Sequence, residues 1–297
     1  MTYFMSILMG IIQGVAEFLP ISSSGHLALF QTFFGMENME EKYMFFTVLL
    51  HFGTLISVCM VYWRDIVDMI REFFLGIAAL AGRKDTGVAP PPARRMVMLI
   101  IIATVPLFVM VFLQDAVNQL FSNSIMVSRA LLATGFILFF SDRMARGHKT
   151  AKNATVADAL IVGRGQALAV IPGLSRSGTT ISVGMMRGFD RAFAVRFSFL
   201  MSLPAVLGAN VLEIKDALAS NFPIEESPMY LVGVAVSAVV GYFAIRLVKS
   251  LSDKGKFGKF AYYCWAVGLG SLVAGIVKMM LAQVTETRYK RMTLERI

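Results

Sequence analysis

Long apolar blocks recur along the sequence, and their length is what most constrains the fold. A helix needs roughly 20 mostly apolar residues to cross the hydrocarbon core of a bilayer. Six blocks approach or reach that length: 44–63, 96–113, 125–141, 192–212, 228–248 and 260–281. Charged residues make up only 16% of the 297 residues, against about 25% in soluble domains. The sequence therefore predicts an all-α polytopic membrane protein with six transmembrane helices.

Two further apolar segments are interrupted by turn residues. The first runs from Tyr3 to Phe34 and is broken at 20–26, and the second runs from Val156 to Gly188 and is broken at 172–178. Proline and glycine end helices, and serine favours helix N-caps, so each segment reads as helix, turn, helix. Neither half is long enough to cross a bilayer, and non-helical backbone at membrane depth must be buried in protein or line a wet cavity. We predict two re-entrant helical hairpins.

The distribution of Lys and Arg predicts the topology. The loops 64–95, 142–155 and 246–259 carry six, four and five such residues, whereas the loops 31–43, 114–124 and 213–227 carry one, none and one. The rich loops are expected in the cytoplasm, which places both chain ends outside, although the tail is also basic. This pattern explains the net charge of +9 without a nucleic-acid partner. Cys59 and Cys264 both lie in apolar blocks, which argues against a disulfide or a cysteine metal site.

The chain ends and the two breaks suggest further organisation. The N-terminus lacks a basic region and a cleavage site, so we expect mature protein from the first residue. A shift of 153 residues places Gln13 on Gln166, Ser22 on Ser175, Ser24 on Ser177 and Gly25 on Gly178. Three spans separate the hairpins, so the second hairpin must enter from the opposite face. The sequence predicts an inverted repeat, with units 1–152 and 153–285 and a basic tail 286–297, and a site near the midplane.

The two serine-rich turns are candidates for binding phosphate. Free N–H groups at a helix start bind anions, and two such starts entering from opposite faces would converge on one anion. An arginine in the second turn can bind phosphate oxygens bidentately. The alternative is that the serines only cap helices, which does not explain the arginine. The candidate substrate-binding residues are Arg176, Ser22, Ser24, Ser175, Ser177, Thr179 and Thr180.

Ionisable residues in the first hairpin are candidates for catalysis, because charge inside a membrane is costly. Gln13 and Glu17 share a helical face and are suited to a divalent cation, Mg²⁺ or Ca²⁺; the alternative is a pair between Glu17 and an arginine without metal. His26 follows Ser23 by three residues, which suggests a hydroxyl nucleophile activated by a base. Alternatively, His26 activates water or is itself the nucleophile. His51 either lines the cavity or bonds a backbone carbonyl, and we expect the second.

The motifs resemble those of the bacterial undecaprenyl-diphosphate phosphatases, a family linked to bacitracin resistance. The stretch from Gln13 to His26 is similar to the family's (Glu/Gln)-x-x-x-Glu motif with its serine-rich turn and histidine. The stretch from Pro172 to Thr180 resembles its Pro-Gly-x-Ser-Arg-Ser-x-x-Thr motif, and the likeness covers about 4–281. Gln13 replaces a glutamate found in some members, which weakens a metal site built on two carboxylates.

The resemblance implies a reaction, a place and roles for residues. The reaction is removal of the terminal phosphate of undecaprenyl diphosphate at the outer face of the bacterial plasma membrane. Glu17 is implied in metal binding and activity, Ser23 or His26 in catalysis, and Arg176 in binding pyrophosphate. The expected partners are the lipid diphosphate, membrane lipid and a possible second copy in a homodimer. The competing hypothesis is a flippase for a polyprenyl phosphate with the same phosphate cradle, which would need no base beside a hydroxyl.

Overall fold

The computed structural model of the chain describes residues 1–34, 44–82, 90–121, 123–144, 147–219 and 224–294. Within them the regular structure is helical, apart from one isolated bridge between Lys149 and Phe189. The helices are α1 Tyr3–Phe18, α2 Ser23–Phe34, α3 Met44–Gly82, α4 Pro92–Thr104, α5 Phe108–Val111, α6 Gln114–Phe121, α7 Ser124–Arg143, α8 Val156–Leu168, α9 Arg176–Met186, α10 Arg191–Ala219, α11 Ser227–Asp253 and α12 Phe260–Leu294.

Six stretches of the described residues are long and apolar enough to cross a bilayer. Each coincides with one predicted block, so the prediction of a polytopic helical membrane protein is confirmed. The stretches are Phe45–Ala79, Pro92–Val111, Ser124–Arg143, Arg191–Val211, Ser227–Asp253 and Phe257–Leu281. Large apolar side chains cover their outer surface, as expected for contact with lipid; Phe108 is 64% exposed and Phe243 is 61% exposed.

The first of these helices is longer than predicted. The expected span ended at residue 63, but α3 continues to Gly82, with non-helical backbone angles at Tyr62. Its 39 residues correspond to about 58 Å at 1.5 Å per residue, roughly twice the thickness of the bilayer core. The helix α3 therefore continues into the segment 64–95, which its charged residues had led us to predict as a loop.

Both predicted breaks are present in the structure. α1 ends at Phe18 and α2 begins at Ser23, while α8 ends at Leu168 and α9 begins at Arg176. The depth of each hairpin in the membrane stays a prediction, as does the inverted repeat. Most of the predicted loop 31–43 lies outside the described residues, and in the basic tail the helix α12 runs to Leu294.

Small residues let the first hairpin pack closely on α11. A Cβ atom added to Gly10 would lie 2.6 Å from the carbonyl oxygen of Gly233, and one added to Gly14 would lie 2.7 Å from that of Ser237. Close approach of helix backbones at small residues is a common packing mode in membranes. The ring of Phe18, at the end of α1, meets Phe199 of α10 edge-on at 5.5 Å. These contacts fix the end of α1, where Glu17 lies.

Candidate active site

Glu17, in the last turn of α1, joins the two broken segments. Its side chain is only 6% exposed and forms an ion pair with Arg176, the first residue of α9. The amide nitrogen of Gln13 donates to the Glu17 Oε2 at 3.1 Å, and the Ser23 hydroxyl donates to the same oxygen at 3.3 Å. The structure thus brings four predicted residues together around one carboxylate, although 159 positions separate Glu17 from Arg176.

The pairing of Glu17 with Arg176 leaves the arginine able to bind a further anion. A buried carboxylate is costly unless it is paired and hydrogen-bonded, and Glu17 meets both conditions. Arg176 carries five N–H donors, and its side chain is 21% exposed. One guanidinium therefore has capacity for both a buried carboxylate and a second acceptor.

The two interrupted turns lie directly against each other. A Cβ atom on Gly25, in the first turn of α2, would lie 2.8 Å from the Cα atom of Gly173. Gly173 itself has φ of +95°, a conformation that favours glycine. The Ser177 hydroxyl donates to the backbone carbonyl of Leu19 at 3.3 Å. The predicted convergence of the two turns is therefore present, and it depends on positions where a side chain does not fit.

Ser22 shapes the first turn. Its φ of 68° lies in the left-handed region, which is uncommon for a residue other than glycine. Its hydroxyl accepts a hydrogen bond from the Gly25 N–H at 3.2 Å and lies 3.4 Å from the Ser24 hydroxyl. Ser22 thus caps α2, while the first N–H groups of that helix have no acceptor within it. The turn presents free donors, as a phosphate site requires.

His26 is held from both sides of its ring. Its Nδ1 lies 2.8 Å from the Ser22 carbonyl oxygen and its Nε2 lies 2.8 Å from the Tyr263 hydroxyl. A carbonyl only accepts, so Nδ1 carries the proton and Nε2 presents its lone pair toward the tyrosine in the neutral ring. Among the hydrogen bonds of the described residues, Ser23 contacts Glu17 and not His26. We expected the Ser23 hydroxyl to approach the His26 ring, but the two side chains have other hydrogen-bond partners in the structure.

Ser175 organises the second turn as the N-cap of α9. Its hydroxyl accepts from the Gly178 N–H at 3.1 Å, and its own N–H donates to the Thr134 hydroxyl at 3.1 Å. The hydroxyls of Ser175 and Ser177 lie 3.3 Å apart. The N-cap at Ser175 bears out the capping interpretation for that residue. The phosphate interpretation stays a prediction that capping does not exclude, because capping leaves other backbone donors of the first turn available.

The two threonines of the second hairpin differ in what they contact. The Thr180 hydroxyl donates to the Arg176 carbonyl at 2.8 Å and also meets the Ser198 hydroxyl, so it braces the helix carrying the arginine. The Thr179 hydroxyl is buried and has no hydrogen-bond partner within the described part of the chain. Of the two, Thr179 is the one with a free donor.

The sequence comparisons agree with this geometry. The model of the family described as "Bacitracin resistance protein BacA" matches residues 6–270. The chain belongs to the BacA family. It is similar to the "Undecaprenyl-diphosphatase" of Alkaliphilus metalliredigens, with 42% identity over 90% of this chain and 97% of the relative. Proteins of the same name from Halothermothrix orenii and Methanosphaera stadtmanae are 40% and 37% identical, over 93% and 92% of this chain and 100% and 98% of theirs.

The donors around Glu17 fit a divalent cation only in part. Among the described residues of this BacA chain, no three His, Cys, Asp or Glu side chains are grouped to hold a metal. Glu17 supplies one carboxylate, and Gln13 and Ser23 add an amide and a hydroxyl. Mg²⁺ is commonly held by one or two carboxylates together with substrate phosphates and water. The set therefore fits a cation that arrives with a polyphosphate, and the cation stays a prediction.

Three other arginines, which follow Arg176 in the sequence, belong to ion pairs outside the Glu17 site. They are Arg187 with Asp158, Arg191 with Asp142 and Arg196 with Asp65. Asp158 lies in the first turn of α8, closes a capping box with Thr155 and also binds Lys149 at 2.8 Å. Burial alone would raise the pKa of Asp158, but hydrogen bonds from Lys149, Thr155 and Arg187 outweigh it and lower the pKa to about 2.

Among the described residues, the remaining histidines make no hydrogen bond to the site, although His51 lies close enough to Glu17 to interact with it electrostatically, whereas one tyrosine bonds His26 directly. His51 bonds the Thr47 carbonyl at 2.9 Å, as expected, and His148 is exposed. Tyr263 contacts His26 but was not predicted, because it is one of many aromatic residues in the apolar blocks and carries no motif. Its ring also stacks on the imidazole with 5.6 Å between centroids.

Proposed function

We propose that this member of the BacA family is an undecaprenyl-diphosphatase, an integral membrane phosphatase. It hydrolyses undecaprenyl diphosphate to undecaprenyl phosphate and inorganic phosphate, which recycles the lipid carrier of cell-wall precursors. The names of its relatives support this activity. The observation that carries the proposal is the Glu17–Arg176 pair between the two turns, with the Ser23 hydroxyl on the same carboxylate. A flippase would need the phosphate cradle but not this hydroxyl and carboxylate.

The diphosphate head binds where the two turns meet. The exposed N–H groups of Arg176 bind the phosphate oxygens, and the free backbone donors at the starts of α2 and α9 add partial positive charge. Ser22, Ser24, Ser175 and Ser177 shape these starts, and Thr179 supplies a further hydroxyl. The prenyl chain stays in lipid, since the substrate's apolar tail needs no polar partner. Charge building up on the terminal phosphoryl group then meets donors already in place.

The Ser23 hydroxyl is the nucleophile in the reaction that we propose. Its oxygen bonds to the terminal phosphorus, the bond from that phosphorus to the bridging oxygen breaks, and undecaprenyl phosphate leaves. The Ser23 proton passes to Glu17, its hydrogen-bond acceptor. Water then attacks the phosphorus of the phosphoserine, and the bond to the Ser23 oxygen breaks. His26 Nε2 accepts a proton from the water, Glu17 returns its proton to the Ser23 oxygen, and inorganic phosphate leaves. In the competing routes, His26 activates water for direct attack or forms a phosphohistidine.

Glu17, Gln13 and the substrate's oxygens would together hold a divalent cation, Mg²⁺ or Ca²⁺. When bound, the cation neutralises charge on the diphosphate and so lowers the barrier to phosphoryl transfer. Arg176 performs the same neutralisation from the opposite hairpin.

The protein lies in the bacterial plasma membrane, with the site open to the outer face. The Lys/Arg-rich loops support this orientation, because such loops face the cytoplasm. A homodimer stays a prediction, which cross-linking in native membranes tests.

The proposal is tested by phosphate release from a polyprenyl diphosphate in detergent, with Mg²⁺ or Ca²⁺ present. We expect turnover by the wild type and loss of about a hundredfold or more for Arg176→Ala and His26→Ala. Arg143→Ala, at an exposed position outside the site, is the control and keeps its rate. Absence of turnover by the folded wild type with either cation contradicts the proposal and favours a carrier.

A second experiment separates the chemical routes. Rapid acid and base quenching with a substrate carrying labelled terminal phosphate traps any covalent intermediate. An acid-stable phosphoserine that Ser23→Ala abolishes supports the proposed nucleophile. An acid-labile phosphohistidine assigns that role to His26, and the absence of any phosphoenzyme during turnover assigns it to water.

A further inference from the structure

A groove of about 790 Å³ lies between α3 and α11, outside the Glu17 site. Its walls come from the α3 segment 60–65 and from residues between Tyr242 and Lys254, at the end of α11 and just beyond it. α3 departs from helical geometry at Tyr62, with φ of −113° and ψ of 24°. The groove therefore lies at the kink in the longest helix described.

The groove carries an excess of positive charge. Four exposed cations line it: Arg64, Arg246, Lys249 and Lys254. Within the described residues, none of the four forms an ion pair. Of the two carboxylates in the groove, Asp65 pairs with Arg196 outside the lining and also lies within electrostatic reach of Lys249. The positive charge therefore still exceeds the negative charge of Asp65 and Asp253.

A buried hydroxyl in the groove lacks a partner. Tyr62 lines the groove and is only 5% exposed, and its hydroxyl makes no hydrogen bond within the described part of the chain. Leaving a buried hydroxyl without a partner is unfavourable, so a native site of this kind calls for an acceptor. A phosphate oxygen supplies one and also suits the surrounding cations.

Aromatic residues place the groove at the membrane surface. Trp63 is 56% exposed, and the Arg64 guanidinium lies 5.6 Å from its ring. The Arg246 guanidinium lies 5.6 Å from the Tyr242 ring and donates to its hydroxyl at 3.2 Å. Tryptophan and tyrosine concentrate at the level of lipid headgroups, and the Lys/Arg-rich loops at this end predict the cytoplasmic face.

We infer that this groove binds the phosphate headgroup of an anionic phospholipid from the cytoplasmic leaflet. The cations and the Tyr62 hydroxyl bind the phosphate. Met60, which lines the groove and is 52% exposed, provides apolar contact for an acyl chain. The apolar lining favours a lipid over a free phosphate ion. General attraction of basic loops to anionic membranes explains neither the concave shape nor the unpaired buried hydroxyl.

The test is retention of lipid by the full-length protein after purification, measured by native mass spectrometry with titrated phosphatidylglycerol or phosphatidylcholine. We expect clear preference for phosphatidylglycerol and about tenfold or greater weakening in Arg246→Ala/Lys249→Ala, since each cation near the surface contributes about a factor of five. Lys256→Ala/Lys259→Ala changes the charge equally at exposed positions outside the groove and retains the preference. Tyr62→Phe tests the hydroxyl alone and weakens binding several-fold.

Three results overturn the inference. Equal retention of the two lipids excludes selection of an anionic headgroup. An equal loss in the control pair shows general attraction rather than a groove. Competition by millimolar inorganic phosphate in place of lipid assigns the site to a soluble anion. Phosphatase activity and a single size-exclusion peak establish that each variant is folded, because none of these residues belongs to the Glu17 site.

Discussion

The substitution Arg176→Ala measures how much the Glu17–Arg176 pair contributes to the free energy of unfolding. In Arg176→Ala, Glu17 stays 6% exposed and loses its cation, while the bonds from Gln13 and Ser23 remain. Breaking a buried pair by removing one partner costs about 3–5 kcal/mol. Because the arginine is 21% exposed, water reaches the vacated space, and we expect a loss of about 2–3 kcal/mol, below that range.

A double-mutant cycle isolates the pair from its surroundings. The free energy of unfolding is measured by titration with SDS in mixed micelles for the wild type, Arg176→Ala, Glu17→Gln and the double variant. We expect the double variant to lose less than the sum of the single losses, because no unpaired charge is left buried. Arg196→Ala is the matched control, since its pair with Asp65 is more exposed, at 47% and 25%, and such pairs contribute about 0–1 kcal/mol.

Phosphatase activity and stability are expected to change differently across the variants of this cycle. All three variants at the Glu17–Arg176 pair lose phosphatase turnover, but the double variant regains stability relative to Arg176→Ala. The reasoning is refuted if Arg176→Ala is as stable as the wild type, or if the single losses add in the double variant. Either result would mean that the pair does not hold the two hairpins together.

Three further changes test the site and its supports. Gly25→Ala places a methyl group against the Gly173 backbone, and we expect a loss of about 1–3 kcal/mol in unfolding free energy together with lower turnover. Tyr263→Phe removes one hydrogen bond to His26, and we expect a roughly three- to tenfold lower kcat with a shifted pH–rate profile. Asp158→Asn removes a carboxylate whose pKa falls from 3.8 to about 2 on folding, so its stabilisation is present above pH 3.8 and lost as the pH falls through about 2. The stability gap to the wild type should therefore close between these values in acid unfolding experiments.

Matched variants make these three tests specific. Gly208→Ala places its methyl group in open space and should not destabilise, and an equal loss there contradicts the close approach of the two turns. Tyr262→Phe changes the neighbouring tyrosine, which does not contact His26, and should leave the pH–rate profile unchanged. A stability gap for Asp158→Asn that is independent of pH shows that the carboxylate's charge is not what stabilises the N-terminus of α8.

The spans were predictable because bilayer thickness fixes their length. The apolar blocks alone placed all six within a few residues, except at the end of α3. There the charged residues after residue 63 marked a loop, yet Arg, Glu, Met and Leu are all good helix formers. Charged residues indicate where a chain leaves the lipid, but they do not indicate where its helix ends. Hydropathy therefore could not predict that α3 extends to Gly82.

Parts of the site depended on information that a sequence lacks. Glu17 and Arg176 both stood out as ionisable residues in apolar segments, but nothing local decides whether a carboxylate takes a metal or an arginine 159 positions away. The Ser23–His26 contact was argued from spacing on one helical turn. The side chains instead turn to Glu17 and Tyr263, because a carboxylate and a phenol lie within reach from other helices. Contacts between helices override spacing within one helix.

The ion pair explains how a site for a polyanion is stable before its substrate arrives. A guanidinium and two helix starts facing one point repel one another and favour an anion there. Glu17 supplies that negative charge from within the chain, and its pairing also binds the first hairpin to the second. A diphosphate adds charge that Arg176 accepts through its exposed N–H groups, since the arginine has more donors than Glu17 occupies. In the proposed reaction, weakening of the Glu17–Arg176 contact on binding frees the carboxylate to take the proton of Ser23. Substrate binding and activation of the nucleophile are thus coupled through one guanidinium. The coupling predicts that Arg176→Lys, which keeps the charge but loses the planar set of donors, lowers kcat more than it raises KM.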